Sequence, residues 1–127
     1  MRDIKFRVWD NIAKKYIDGR YVSISGLGLL HVAKCIIKTC FRPLHTRKNP
    51  WFIVEQFTGL KDKNGTEIYE GDILIDDTGE PIEYCVVRFS EGGFIGECAG
   101  VSEPLFELTS LEVVGNIHEN PELLEEK

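Results

Sequence analysis

The segment from Phe57 to Ile75 constrains the fold more than any other part of the chain. It contains Asn64-Gly65, a pair favoured in type I′ turns because both central residues of that turn need positive φ. Ile73-Leu74-Ile75 follows as an apolar run between two aspartates, which is typical of a buried strand. The segment predicts a strand–turn–strand unit in which Asp62 closes an Asx-turn before the tip. Positive φ or close backbone approach is expected at its three glycines, Gly59, Gly65 and Gly71.

The N-terminal residues predict a β-hairpin. Ile4 to Val8 alternates apolar and cationic residues with period two, so Phe6 is expected to face inward and Arg7 outward. A turn at Asp10-Asn11 leads to Lys15-Tyr16-Ile17, which is expected to return as the second strand.

Leu29 to Phe41 is open to two interpretations. Apolar residues at helical spacing favour a short helix, whereas the β-branched residues among them favour a strand. We expect the helix, which Arg42-Pro43 would end. Polar residues 46–50 then mark the predicted break between a basic N-terminal subdomain, residues 1–50, and an acidic C-terminal subdomain, residues 51–127, packed as one unit.

From Trp51 onward the pattern is that of β-structure. Glu83 to Phe89 places Cys85, Val87 and Phe89 on one face, and Leu111 to Ile117 is the last expected strand. About five strands fit between residues 51 and 118, which suggests a small barrel.

Charge is distributed very unevenly. Residues 1–50 carry 11 Lys and Arg against 3 Asp and Glu, and residues 51–127 carry 4 against 18. The basic half therefore suits either nucleic acid or the acidic half of the same chain or of a neighbouring copy. The second interpretation has more weight, because a net charge of −6 repels phosphate at long range.

Location and redox state follow from the absence of export signals. No stretch approaches the roughly 18 apolar residues of a membrane-spanning helix, and the first residues mix charges instead of forming the apolar core of a signal peptide. Cys35, Cys40, Cys85 and Cys98 are too irregularly spaced for a disulfide scaffold. We expect a cytoplasmic protein with reduced thiols and no membrane partner.

Two groups of residues are candidates for metal binding. His31, Cys35, Cys40 and His45 are all zinc-ligand types, but no Cys-x2-Cys knuckle is present, and small buried cysteines explain them better. Glu70, Asp72, Asp76 and Asp77 suit a divalent cation, yet Asp72 and Asp76 would lie about 13 Å apart on one strand.

Neither group is therefore assigned as a site, and no catalytic, cofactor-binding or metal residue is predicted. His118 has no nucleophile motif around it and is expected to be a surface residue. The nucleic-acid hypothesis rests on cations that alternate with aromatic residues, which could stack bases: Lys5, Arg7, Lys14, Lys15 and Arg20 with Phe6, Trp9, Tyr16 and Tyr21.

Three blocks in a fixed order resemble one protein family. They are Lys5-Phe-Arg-Val-Trp-Asp10, Phe57-Thr-Gly-Leu-Lys-Asp-Lys-Asn-Gly-Thr-Glu-Ile-Tyr-Glu-Gly-Asp-Ile73, and Glu112-Val-Val-Gly-Asn-Ile-His-Glu-Asn-Pro-Glu-Leu-Leu124. The chain is similar here to the YopX family, encoded by bacteriophages and prophages. The resemblance implies an N-terminal β-containing region followed by an SH3-like barrel, with no catalytic residues to carry over and no established activity.

These observations predict a mainly β protein of the α+β class. Its N-terminal hairpin region holds a short helix, and a small SH3-like β-barrel follows. We expect no enzyme and no cofactor, but a phage accessory protein that acts by interaction or regulation and forms a homo-oligomer in the host cytoplasm. The alternative is an accessory protein that binds nucleic acid through its basic N-terminal region.

Overall fold

A computed structural model describes residues 5–18, 22–24, 29–35, 38–43 and 52–124. The chain is mainly β in these ranges. The strands are β1 Phe6–Asp10, β2 Lys15–Tyr16, β3 Val22–Ile24, β4 Leu29–Cys35, β5 Lys38–Pro43, β6 Phe52–Lys61, β7 Glu67–Tyr69, β8 Asp72–Asp76, β9 Glu83–Ser90, β10 Gly93–Cys98, β11 Val101–Pro104 and β12 Glu112–Asn116. Short 3-10 helices cover Leu105–Leu108 and Pro121–Leu124. In the part of the chain described, no helix is long and apolar enough to cross a membrane.

The chain divides into two units. The N-terminal unit comprises Phe6–Glu55, and the C-terminal unit comprises Met1–Lys5 with Gln56–Lys127. Strand β6 belongs to both, because it begins in the first unit and continues into the second.

The predicted helix over Leu29 to Phe41 is wrong. Strands β4 and β5 pair there in antiparallel register, with His31 opposite Phe41 and Val32 opposite Cys40, and β3 pairs with the other side of β4. The β-branched residues explain the outcome: their stiff side chains favour extended backbone, and a hairpin gives that backbone its hydrogen bonds.

The predicted N-terminal hairpin is confirmed, but the side chains of β1 do not alternate as expected. Trp9 pairs with Tyr16 across β1 and β2. Phe6, expected inside, is 39% exposed, whereas the neighbours Val8 and Trp9 are both buried. The Trp9 ring meets Tyr16 edge-on at 5.0 Å between centroids, and this aromatic contact holds Trp9 inside.

A buried carboxylate binds the side of this hairpin that carries Arg7 and Tyr16. Glu55, on β6, is 3% exposed. Its Oε1 accepts a 2.8 Å hydrogen bond from Arg7 Nε and another of 2.8 Å from the Tyr16 hydroxyl. The Arg7 guanidinium also lies 4.5 Å from the Tyr16 ring centroid. The charge of Arg7 is thus committed within the N-terminal unit, where it compensates the burial of Glu55.

The C-terminal unit contains a five-stranded antiparallel sheet in the order β11-β10-β9-β8-β12, while β7 pairs with β6. The structure thus has seven strands between Phe52 and Asn116, where the sequence suggested about five. Ile73 and Leu74 are fully buried, as predicted for β8. One face of the sheet packs on a core formed by the following residues: Ile68, Leu74, Cys85, Val87, Leu105, Leu108 and Leu111.

The β6–β7 turn differs from the predicted type I′ turn. Gly65 has a φ of +82°, but Asn64 does not have positive φ. The Asp62 N–H donates to the Thr66 carbonyl at 2.9 Å, so three residues form the loop instead of two. The predicted Asx-turn is confirmed, because Asp62 Oδ1 accepts the N–H groups of Asn64 and Thr66. Positive φ is also confirmed at the other two expected glycines, with +87° at Gly59 and +84° at Gly71.

Asp62 also connects this turn to the last strand. Its Oδ2 accepts the Val113 N–H of β12 at 2.9 Å, and Lys63 N–H donates to the Leu111 carbonyl. Burial raises the pKa of Asp62, but the backbone N–H groups of Val113, Thr66 and Asn64 and the charge of Lys63 outweigh it. They hold the pKa below its ordinary value of 3.8.

We expect Asp62→Asn to destabilise the protein at neutral pH by about 1–3 kcal/mol, because an amide NH2 replaces one of the two accepting oxygens. A depressed pKa in the folded state stabilises the fold above the ordinary pKa, and that contribution disappears as pH falls through the folded value. Urea unfolding of both proteins between about pH 7 and pH 2.5 should therefore show the difference shrinking below about pH 4. A difference independent of pH would contradict this role for the carboxylate.

We expect Arg7→Ala to lower the free energy of unfolding by about 3 kcal/mol, because it leaves the Glu55 carboxylate buried without its cation. Lys15→Ala is the matched control, since Lys15 is an exposed cation of the same hairpin and its loss should change stability by less than about 0.5 kcal/mol. Urea denaturation measures both. Equal effects of the two substitutions would show that Glu55 does not depend on Arg7.

Candidate protein-binding groove

The structure gives the strand positions of three of the four residues considered for zinc. His31 and Cys35 lie on β4, and Cys40 lies on β5 opposite Val32, out of register with His31. His45 lies outside the described residues. In the described ranges, no three His, Cys, Asp or Glu residues come together as metal ligands would.

Three of the four acidic residues considered for a divalent cation accept N–H groups of the protein's own backbone. Asp72 Oδ2 accepts the Tyr69 N–H at 2.8 Å, and Glu70 Oε1 accepts the Gln56 N–H at 3.2 Å. Asp76 Oδ1 accepts from the Thr78 hydroxyl and N–H, and these two bonds lower the pKa of Asp76. These carboxylates therefore hold turns at the ends of β7 and β8.

The basic and aromatic residues proposed for nucleic acid are also partly committed elsewhere. Lys5 forms a 2.6 Å ion pair with Glu67 and lies 5.3 Å from the Phe57 ring centroid. Trp9 is 2% exposed, so its ring offers no stacking surface. Arg20 and Tyr21 lie outside the described residues.

A different set of residues is exposed at the β1–β2 turn. Ile12 is 66% exposed, and Lys14 and Lys15 are exposed beside it. Asp10 fixes the turn, since its Oδ1 accepts the N–H groups of Ile12 and Ala13 at 3.0 Å each. We call Ile12, Lys14 and Lys15 the basic tip. It presents one aliphatic side chain and two ammonium groups on a turn that the buried Asp10 holds through its hydrogen bonds.

A disulfide joins Cys85 to Cys98, so the expectation of four reduced thiols is wrong for this pair. The two residues are directly opposed on β9 and β10, with their Cα atoms 4.3 Å apart. The sequence held a signal for this pairing, because both cysteines are equally distant from the centre of the turn at Glu91-Gly92. The bond fastens the ends of the two strands from which a surface groove is built.

This groove lies on the face of the five-stranded sheet that points away from the core cluster. Across that face, Ile73 of β8, Val86 of β9 and Glu97 of β10 stand in one row. Val86 is only 6% exposed there. The groove has a volume of about 400 Å³. Its lining comes from the start of β9, the end of β10 and the C-terminal 3-10 helix: Pro81, Ile82, Glu83, Tyr84, Val86, Glu97, Ala99, Gly100, Leu123 and Leu124.

The chain covers the apolar part of this groove incompletely. Ile82 remains 52% exposed and Leu124 38% exposed. The 3-10 helix Pro121–Leu124 reaches this face because Gly115 has no side chain, and a Cβ there would collide with Asn120. The result is a shallow apolar depression of a size that suits one or two side chains.

The rim of the groove is acidic. Glu83 is exposed and forms no ion pair with any described residue, while Glu97 lies 3.3 Å from Arg88 in a half-exposed pair. Further acids flank the lining segments, with Glu80 before Pro81 and Glu122 before Leu123. Sequence reasoning missed this groove because it joins three distant segments. The available signal was that β9 carries Tyr84 and Val86 on the face opposite Cys85 and Val87.

Known proteins match the chain in two comparisons. The family described as YopX protein matches residues 5–125. Among solved structures, the crystal structure of protein EF1440 from Enterococcus faecalis is similar, with 26% sequence identity, 98% of this chain and 100% of that chain covered, and a TM-score of 0.68. A search of curated proteins found no match. Because the family match spans nearly all of the chain, the resemblance carried by the three sequence blocks is confirmed: this protein belongs to the YopX family.

Proposed function

We propose that this protein is a non-catalytic interaction protein of phage or prophage origin, which acts as an accessory or regulatory factor in the host cytoplasm through self-association. The observation that carries the proposal is the charge division. Residues 6–55 contain nine Lys and Arg against three Asp and Glu, whereas residues 1–5 and 56–127 contain six against 18. Two of these acids, Asp10 and Glu55, are buried, and Glu55 is paired with Arg7.

The aspartates in and near the longest family block form hydrogen bonds to the backbone, which supports a role without catalysis. Asp62, Asp72 and Asp76, which stand in or next to the longest family block, all accept backbone N–H groups. Their lone pairs stabilise turns of this fold, and this use explains their presence without substrate chemistry.

The topology of the C-terminal unit supports an SH3-like barrel as part of the proposal. Strands β8 to β11 form a meander, the 3-10 helix Leu105–Leu108 follows, and β12 returns beside β8. Small barrels of this kind commonly present partner-binding surfaces.

Nucleic-acid binding is the alternative, and the exposed basic tip is the observation that favours it. Fluorescence anisotropy with single- and double-stranded oligonucleotides tests it at about 50 mM salt. Binding that weakens as salt rises, and that Lys14→Glu with Lys15→Glu abolishes, would support this alternative. No binding at low salt would discard it.

For the preferred function, we expect a weight-average mass above the monomer mass of 14.5 kDa at about 50 mM NaCl, because unlike charges attract most strongly at low ionic strength. The mass should fall toward 14.5 kDa at about 500 mM NaCl. Light scattering coupled to size exclusion measures it at several protein concentrations. A monomer mass under all conditions would refute self-association.

A further inference from the structure

We infer that the basic tip of one copy docks into the acidic-rimmed groove of a second copy. This inference rests on the proposed self-association and names the two surfaces that carry it. The tip belongs to the N-terminal unit and the groove to the C-terminal unit.

The apolar components of the two surfaces match in size. Ile12 is 66% exposed on a tight turn, so its side chain projects without neighbours that would have to move. The groove offers about 400 Å³, bordered by the aliphatic side chains of Ile82 and Leu124. Both partners expose apolar surface in the free state, and docking would remove that surface from water.

The polar components match in sign. Lys14 and Lys15 follow Ile12 closely in the chain and are both exposed, and Glu83 on β9 and Glu97 on β10 both line the groove. An aliphatic side chain flanked by two ammonium groups thus meets an aliphatic depression flanked by two carboxylates. Long lysine stems can contact the apolar walls while their charged ends reach the rim.

Both surfaces are also preorganised. Asp10 fixes the turn of the basic tip through two hydrogen bonds, and continuous antiparallel pairing from Cys85 to Cys98 holds β9 and β10 together at the groove. Association therefore orders few additional backbone residues, and less binding energy is lost to conformational entropy.

The contact joins two different surfaces, so it is heterologous. Each copy carries one tip and one groove, and copies can associate in rings, chains or reciprocal pairs. A copy with a damaged groove still has a working tip, and a copy with a damaged tip still has a working groove. Two variants damaged at different surfaces should therefore bind each other although neither binds itself. A contact between two identical patches would not give that result.

The experiment uses the full chain and three double variants. The groove variant is Glu83→Lys with Glu97→Lys, and the tip variant is Lys14→Glu with Lys15→Glu. The matched control is Glu91→Lys with Glu107→Lys, which makes the same charge change as the groove variant at exposed residues outside the groove. Urea unfolding verifies that all variants remain folded, and sedimentation at about 50 mM NaCl measures association.

We expect the groove variant and the tip variant each to associate at least about tenfold more weakly than the wild type, because like charges would face each other. The control should associate as the wild type does. An equimolar mixture of the groove and tip variants should associate again, to masses above the 14.5 kDa monomer mass, since the intact tip of one variant meets the intact groove of the other and the two reversed surfaces also carry opposite charges.

Three results would overturn the inference. If the wild type assembles and either the groove or the tip variant assembles equally well, the docking surfaces are wrong while self-association stands. If both variants are monomeric but their mixture forms no complex, the tip does not bind the groove. If the wild type is monomeric at every salt and protein concentration, the proposed function itself fails and the docking contact fails with it.

Discussion

The carboxylate of Asp62 is the interaction on which the C-terminal unit most depends. One oxygen accepts the N–H groups of Asn64 and Thr66, which shapes the β6–β7 turn. The other accepts the N–H of Val113, which lies 51 residues further along the chain. A single buried acceptor therefore determines a local turn and joins it to the last strand. Because an unsatisfied buried N–H costs about as much as a hydrogen bond is worth, the turn and the strand are stable only together.

Gly71 performs a similar task with its backbone at the other end of β7. Its N–H donates to the Val87 carbonyl of β9, and its own carbonyl accepts the N–H of Ile117, just beyond β12. Ile68 lies between Asp62 and Gly71 and is fully buried in the core cluster. The most recognisable segment of the chain is thus joined by polar contacts at both ends and by apolar packing in the middle. Its side chains are occupied by the fold, so interaction surfaces must lie elsewhere.

Local patterns predicted the parts of the fold whose causes are local. Burial of Leu74 follows from an apolar run, positive φ at Gly59 and Gly71 from glycine itself, and the Asx-turn at Asp62 from its carboxylate. The type of the β6–β7 turn could not be predicted in this way. Asn64-Gly65 alone favours a two-residue turn, but the Asp62 carboxylate selects a three-residue loop and is itself oriented by the distant Val113.

Contacts between residues distant in the sequence also explain the β4–β5 hairpin and the inward position of Trp9. The apolar residues in 29–41 are only weakly helical in their spacing. The chain forms a hairpin there because the two strands pair with each other, and the spacing of residues along one segment does not reveal such pairing. On β1, strict alternation places Trp9 outside, but its contact with Tyr16 depends on the returning strand. The groove was the least predictable feature, because its lining joins segments around Val86, Ala99 and Leu123. Such a site exists only once β12 has brought the C-terminal 3-10 helix across the sheet.

The division of charge gives association a role in stability as well as in recognition. The C-terminal unit, with 18 acidic and six basic residues, repels itself, and this repulsion opposes its compact state. A cationic tip placed at Glu83 and Glu97 would reduce that repulsion where exposed carboxylates stand close to an apolar groove. Ligands that bind only the folded state stabilise it by mass action, and a second copy acts as such a ligand for the first. The attraction would therefore act locally, between the cationic tip of one copy and the acidic rim of another, through surfaces that each folded unit already holds in place.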